Sequence, residues 1–565
     1  MKKIQVLALL LAGSFAAVSC SDILEEKPLD FITPDQVTDP NFIANGALNT
    51  LTSGSMFRYG QFPNLWDYDS DDATGPSWAF GDVGAGNYQS YWGIDAGWNG
   101  PYTLIHRCNF GISQINAMTT ADEAAKQNAL GQLYFLRGWA YFLLVRSYGS
   151  IPVFEKAVTE GTAPQQPRVP VKDVYALIID NLKQAETNLK STRDAGFELG
   201  RPSKGAASSL LAKVYLTMAS GSLSSGQVTV MGGKAFQVVS GRKTLLAPQA
   251  ITHNKTVVAG LEGLNSAEYF KLARDKAQEV INSGEYYLFP SHMEVWTVAN
   301  RNRGEHIWSL QSILESPDFG NEISLFRRGR LDPTKADQLE GGWIGTSYQW
   351  YHNFEENDQR ITDGVLHRWK MWSNTQFHYY PLSDSLVVRG TDTSPAAVAK
   401  RAKYGYQPAD QSALDDGRIG RLRKFEAVSK NNVTLGDFHF PLLRYPDVLL
   451  TFAEAENEIN NGPTGAARNA VNQIRRRNGA SEVGTSLNQQ QFRSFVLEER
   501  RRELALEGDR RWDLIRWGIY LPVMNALDID ENNVIKRRQS KHLLYPIPIS
   551  EVNANKLIGG NNPGW

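Results

Sequence analysis

The chain has 565 residues, 42% apolar and 21% charged, ordinary values for a globular protein that can bury a large core. A formal charge of -1 leaves no global basic field to attract nucleic acid. Length alone allows several domains or one large domain with insertions.

The N-terminus carries the first firm signal. Lys2 and Lys3 precede the apolar stretch IQVLALLLAGSFAAV, which is too short and too early for a good membrane span. It runs through small residues into Cys20, one of only two cysteines. Pairing with Cys108 is the rival reading, but a bacterial lipoprotein signal over residues 1–19 explains the pattern better, with Cys20 acylated. Several acyl chains anchor stably where one binds marginally. Residues 20–40 are polar, acidic and proline-containing, and read as a tether.

Residues 41–120 are mixed, and within them stands WDYDSDDATGPSWAFGDVGAGNYQSYW, Trp66 to Trp92, which has no helix period. Helical spacing follows. Leu130, Leu133, Leu136, Ala140, Leu143 and Leu144 recur on one face, and VKDVYALIIDNLKQAETNL and RPSKGAASSLLAKVYLTMA repeat the pattern with small residues suited to close packing. NSAEYFKLARDKAQEVINSG predicts a helix capped by Asn or Ser and stopped by Gly284. The stretch from SGSLSS to VVAG between these helices predicts a peripheral loop or hairpin. From about 285 to 440, glycines, prolines and aromatics alternate with short strand-like runs such as EHIWSLQSI and FHYYPL. Helices resume with RYPDVLLTFAEAENEIN, GAARNAVNQIRRRNG and QQQFRSFVLEERRRELALEGDRRWDLIRWG.

The fold class is therefore mainly α: irregular tetratricopeptide-like helical hairpins, over about 120–284 and 441–526, carrying loop-rich inserts over about 60–100 and 285–440. A generic helical bundle is the alternative, since no strict 34-residue period is visible. In the last long segment, Arg502 and Glu503, then Glu507, Arg510 and Asp513, stand at spacings that allow i,i+3 pairing across a helix–turn–helix, with Trp512, Leu514 and Trp517 as packing residues. Carboxylates interleave with its arginines, so the segment reads as scaffold and not as a nucleic-acid helix.

Enzyme signatures are absent. There is no G-x-S-x-G, H-E-x-x-H or G-x-x-x-x-G-K-[ST]. His352, His367 and His378 lack helical ligand spacing, and Cys108 faces away from His106 on a predicted helix. Asp67, Asp69 and Asp71 fit the first positions of a calcium loop, but Asp72 stands where glycine is required and Trp78 where glutamate is. An irregular calcium site at Asp67, Asp69, Asp71 and Asp72 stays open as a minor alternative. A glycosidase carboxylate pair is disfavoured, and neither catalysis nor a cofactor is expected.

Several stretches, in order, resemble the SusD/RagB family of outer-membrane lipoproteins: the Cys20 signal with SDILEEKP, WNGPYTLIHRCN, LYFLRGWAYFLLVRSYGSIPV, GRPSKGAASSLLAKVYL, FPLLRYPDVLLTFAEAEN, RRELALEGDRRWDLIRWG and LYPIPISEVNANKLIGGNNPGW. The resemblance runs from residue 20 to 565. It implies one SusD-like domain over 41–565, a non-catalytic role, and partnership with a SusC-like TonB-dependent transporter over which the protein sits as a lid. Asp22, Glu25 and Glu26 after the lipid cysteine resemble the family's signal for export to the cell surface.

Ten of the fourteen tryptophans fall in the two loop-rich inserts. A flat indole covers the C–H face of a sugar while polar neighbours take its hydroxyls. Trp98 and Tyr102 of WNGPY are expected to pack at a helix start. The expected glycan platform comprises Trp78, Phe80, Tyr88 and Trp92 with Asn87 from the first insert, and Trp343, Tyr348, Trp350, Trp369 and Trp372 from the second. Asp71, Asp72, Gln89 and Arg368 are candidate polar partners. The leading expectation is a surface-exposed lipoprotein that captures oligo- or polysaccharide and passes it to the transporter. A peptide-binding lid and a helical-repeat assembly protein without a small ligand are the alternatives.

Overall fold

A computed structural model describes residues 37–91, 93–119, 121–335, 337–371, 377–381, 393–404 and 419–565. Its first helix, α1 (Pro40–Leu48), starts where Asp39 accepts the Asn41 N–H at 2.9 Å and proline occupies the first turn. After α2 (Gln61–Tyr68) and α3 (Ala96–Ala117) comes α4 (Glu123–Tyr148), whose C-terminal two thirds is buried almost all round. A helix apolar on every face must be surrounded by others. α5 (Val171–Asn188), α6 (Lys204–Ser222) and α7 (Ser266–Ser283) supply the enclosure, each packing on the helix before it. The close approach of α4 to α5 depends on Gly138, where a Cβ would stand 3.1 Å from Leu182.

The sequence signals for α7 match its ends: Asn265 caps the Glu268 N–H, and Gly284, at φ 60°, takes the left-handed turn that stops it. The next helix to pack on α7 is α8 (Tyr445–Ile459). Residues 285–440 are thus looped out between neighbouring helices of one stack. α9 (Gly465–Arg477), α10 (Gln489–Glu503, with an Asn488/Gln491 capping box), α11 (Arg510–Arg516) and α12 (Tyr520–Leu527) complete the helical body. None of the described helices is long and apolar enough to cross a membrane.

The strands are short. Gln227–Gly232 pairs antiparallel with Gln249–Asn254, and Phe236–Val239 with Arg242–Leu245, so the excursion between α6 and α7 is a two-tier hairpin lying on α10. In the second insert a four-stranded sheet contains one parallel pair, Gln338–Glu340 beside Arg368–Met371. Two contacts tie the inserts down: Ala73–Thr74 pairs with Gly345–Thr346, and His306–Ser309 pairs with Pro441–Arg444.

The arginine-rich segment differs from the local pairing expected of it. Arg516–Asp513 is an i,i+3 bridge, but the strongest partners lie far along the chain. Glu503 meets Arg360, Arg444 and Arg477, and Glu507 meets Lys424 and Arg444, all buried. A carboxylate sealed from water needs several donors at once, which one helix face cannot supply. Cys108 is buried in α3, its thiol pushed up to about 12 by burial, while His106 is exposed.

Candidate functional site

The acid run after α2 is fully inside. Asp67 accepts from Arg327 at 2.5 Å and from the Gly508 N–H at 3.0 Å. Asp69 takes Arg511, Arg538 and the hydroxyls of Tyr88 and Tyr520. Asp71 is gripped by both nitrogens of Arg510 at 2.8 and 2.7 Å, and Asp72 by Arg501 at 2.5 Å. Burial alone pushes Asp69 and Asp71 up, but the guanidiniums outweigh it and hold both below the usual carboxylate range. In Asp72, burial and the neighbouring Asp71 charge win over Arg501, and its carboxyl rises to about 6. These acids fasten the first insert to α10 and α11 through Arg501, Arg510 and Arg511, to the second insert through Arg327 and to the C-terminal segment through Arg538. Their charge is met by five arginines, and no group of three or more metal-ligating side chains occurs among the described residues.

Most of the expected platform aromatics serve as packing. Phe80 is fully buried with its ring 4.0 Å from that of Tyr68. Tyr88 is spent on Asp69 and on the rings of Tyr545 and Trp565. Trp350, fully buried, donates its indole N–H to the Arg501 carbonyl at 3.2 Å. Trp369 is buried, with the His378 ring stacked 6.0 Å away and the Arg421 guanidinium over its ring. Tyr348 is buried against His352, its backbone N–H held by Glu531. These side chains offer no free face to a ligand, and this corrects the expectation for all five. Asn87 and Gln89 are exposed, Asn87 donating to Ser90 Oγ at 2.8 Å, and Arg368 lies over the Phe377 ring. Asp71 and Asp72 are sealed away from any ligand. Cys20, Trp92 and Trp372 lie outside the described residues.

Two candidates remain, and the fold brings them together. Trp78 is 69% exposed, the most exposed indole among the described residues that is offered at full size to solvent. Trp343, half-buried, meets it edge-to-face with ring centroids 5.3 Å apart and planes at 73°. Behind Trp343 stands Phe326, again at 5.3 Å and 73°. The result is an aromatic corner with one open wall and one braced wall. Its position follows from the pairing of Ala73–Thr74 with Gly345–Thr346, and from Gly75, where a Cβ would fall 2.1 Å from the Trp343 carbonyl oxygen. Only glycine lets the two inserts close up here.

The sequence reading missed one member of this corner. Phe326 sits in the short helix Ile323–Arg327, with no motif to mark it as a brace. Ser77–Phe80 is helical, so Trp78 and Phe80 leave different sides of one turn, Trp78 outward and Phe80 inward.

Comparison with known proteins settles the family. Residues 305–565 match the model of the SusD family, and residues 35–216 match a second model described as starch-binding associating with outer membrane. The chain belongs to the SusD/RagB family. SusD-like protein P25 of Formosa agariphila is 24% identical over 589 residues, covering 98% of both chains. Starch-binding protein SusD of Bacteroides thetaiotaomicron is 22% identical over 494 residues, covering 81% of this chain and 76% of its own. A SusD superfamily protein from Parabacteroides distasonis shares the fold, with a TM-score of 0.69, 24% identity, and 95% and 100% of the two chains covered. So does surface glycan-binding protein A from Bacteroides thetaiotaomicron, solved with laminarihexaose, with a TM-score of 0.64, 16% identity, and 93% and 98% covered.

Proposed function

We propose that this protein is a glycan-binding lipoprotein of the outer membrane. It captures oligo- or polysaccharide at the Trp78–Trp343 corner and delivers it to a SusC-like TonB-dependent transporter. The observation that carries this reading is Trp78 itself. A large indole left 69% in water, beside a second indole braced from behind, has no packing role that needs the exposure. An open wall of this kind suits the C–H face of a sugar ring, and the braced wall keeps its orientation without the entropy cost of fixing a loose side chain. The starch-binding and laminarihexaose-bound relatives support the ligand class. The acylated Cys20, the acidic residues Asp22, Glu25 and Glu26, and the tether over 20–40 would hold the body at the cell surface, where the transporter would supply the second half of the uptake system.

No catalytic step is assigned. Asp67, Asp69, Asp71 and Asp72 are consumed by arginines, and Asp82, left without a cation, does not by itself make the carboxylate pair a glycosidase needs. Isothermal titration against a polysaccharide panel tests the reading. Wild type is expected to bind at least one polysaccharide, with Trp78→Ala and Trp343→Ala each losing about tenfold or more in affinity, about 1.4 kcal/mol. Binding of peptides with no polysaccharide bound would show the reading to be wrong.

A further inference from the structure

Trp343 is the braced wall of the corner, and its bracing extends beyond the Phe326 ring. The residues on either side of it are stitched to the short helix Ile323–Arg327. The Gly342 N–H donates to the Leu325 carbonyl at 2.7 Å, and the Ile344 N–H donates to the Phe326 carbonyl at 3.0 Å. Helix and indole are thus held as one piece. Arg421 ties the two ends of that piece together. Its Nη1 donates to the Arg328 carbonyl at 2.8 Å, just past the end of the helix, and to the Gly341 carbonyl at 3.0 Å, two residues before Trp343.

Arg421 is itself well fixed. It is 4% exposed, and the strand Arg421–Leu422 pairs antiparallel with Val365–Leu366. Gly420, just before it, exchanges both backbone hydrogen bonds with Thr346 at 2.9 Å, on the strand that follows Trp343. The guanidinium lies over the Trp369 ring, 5.1 Å from its centroid, so a planar cation rests on a flat indole. Gly342 leaves room for it. At φ 72°, a Cβ there would fall 1.5 Å from Nη1, so the bend that leads into Trp343 is shaped around this guanidinium.

We propose that Arg421 is a positioning residue of the ligand site, fixing the angle at which Trp343 meets Trp78, with Trp369 as its support. This inference rests on the corner being the glycan site. Sealed from water, Arg421 touches no ligand itself. A binding group works only when it is held within about 0.5 Å and about 20° of its productive geometry by neighbours whose own conformations are locked. Bonds from an ionised donor to two carbonyls are the stronger kind, and they set the backbone directly before the indole. A wall fixed before the ligand arrives needs no ordering on binding. Trp369, expected from the sequence to meet the glycan, then serves the site at one remove.

A double-mutant cycle between Arg421 and Trp343 tests this. It is read by titration with the tightest-bound member of a panel of laminarin, soluble starch, galactomannan, polygalacturonate, alginate and carrageenan. Arg421→Gln is expected to bind about fivefold more weakly than wild type, and Arg421→Lys, which keeps the charge as a point donor, to recover part of the loss. In the Trp343→Ala background the same Arg421→Gln change should cost nothing further, because the wall it aims is gone. In ligand-free protein, Trp343 should oxidise faster in Arg421→Gln while the exposed Tyr287 keeps its wild-type rate. Should Arg421→Gln fail to fold, Gly342→Ala carries the same cycle, since its Cβ displaces the guanidinium without removing it. Unchanged affinity in Arg421→Gln, an equal loss in the Trp343→Ala background, or faster oxidation of Tyr287 as well would overturn the proposal while leaving the corner as the site. Binding of no panel member by wild type, or wild-type affinity in both Trp78→Ala and Trp343→Ala, would instead remove the corner itself, and the role of Arg421 with it.

Discussion

Asp72 and Asp82 stand ten residues apart in one loop-rich stretch, and their surroundings are opposite. Asp72 is sealed against Arg501 and Arg510 in the heart of the molecule; Asp82 is half in water with no cation on it. The difference lies in what each region packs on. The stretch 67–72 lies under the arginine-rich segment between α10 and α12, over 400 residues along the chain, and every carboxylate there compensates a buried guanidinium. The stretch 78–82 sends Phe80 inward onto Tyr68 and Trp78 outward against Trp343 of the second insert, and it keeps one aromatic and one acid free of the arginines. One region spends its polar groups on the fold, and the other leaves an indole over for a ligand.

The comparison breaks most sharply at Asp69. Asp69→Ala leaves Arg511 and Arg538 buried without their carboxylate, and removing one partner of a buried pair typically costs about 3–5 kcal/mol. Chemical denaturation should show a loss of that size. A loss under about 1 kcal/mol would mean that the clamp is not what secures the first insert. Trp343→Ala should cost about 2 kcal/mol, less than a full core tryptophan truncation, because the ring packs on Phe326 and Trp78 but stays partly exposed.

A smaller effect sits at Glu531, whose side chain accepts the Tyr348 N–H at 2.7 Å beside the corner's second insert. Burial and the Asp530 charge raise its carboxyl to about 7, against the opposing Tyr348 bond. A folded pKa above the unfolded value means that the native state binds more protons between about 4.5 and 7, so this group makes stability fall as pH rises through that window. Glu531→Gln should remove that slope, gaining on the order of 1–3 kcal/mol relative to wild type at pH 7.5 and little at pH 4.5. Melting curves at both pH values check it. The smallest stability effect belongs to Trp78→Ala, expected within about 1 kcal/mol of wild type, because most of the indole is in water and its packing is the edge contact with Trp343.

The helical stack was legible because its signals are local. Asn265 and Gly284 mark the two ends of α7 within the residues that form it. The fate of the aromatics was not legible, because exposure is decided by partners remote in sequence. Trp350 finds the Arg501 carbonyl 151 residues away, and Trp369 finds Arg421. Nothing near either residue distinguishes it from Trp78. The arginine-rich segment was legible as scaffold from its interleaved charges, but its partners were not, since Asp69 and Arg511 lie 442 residues apart. The corner itself was partly legible: Trp78 and Trp343 stood among the candidates, while Phe326 carried no motif.

Oxidative footprinting of the aromatic side chains, with and without a saturating polysaccharide chosen by titration, tests the central claim most directly. The account predicts that ligand protects Trp78 strongly and Trp343 measurably, while Tyr287, 55% exposed elsewhere on the surface, reacts at an unchanged rate. Protection at Tyr287 or another exposed aromatic with Trp78 left reactive would contradict it.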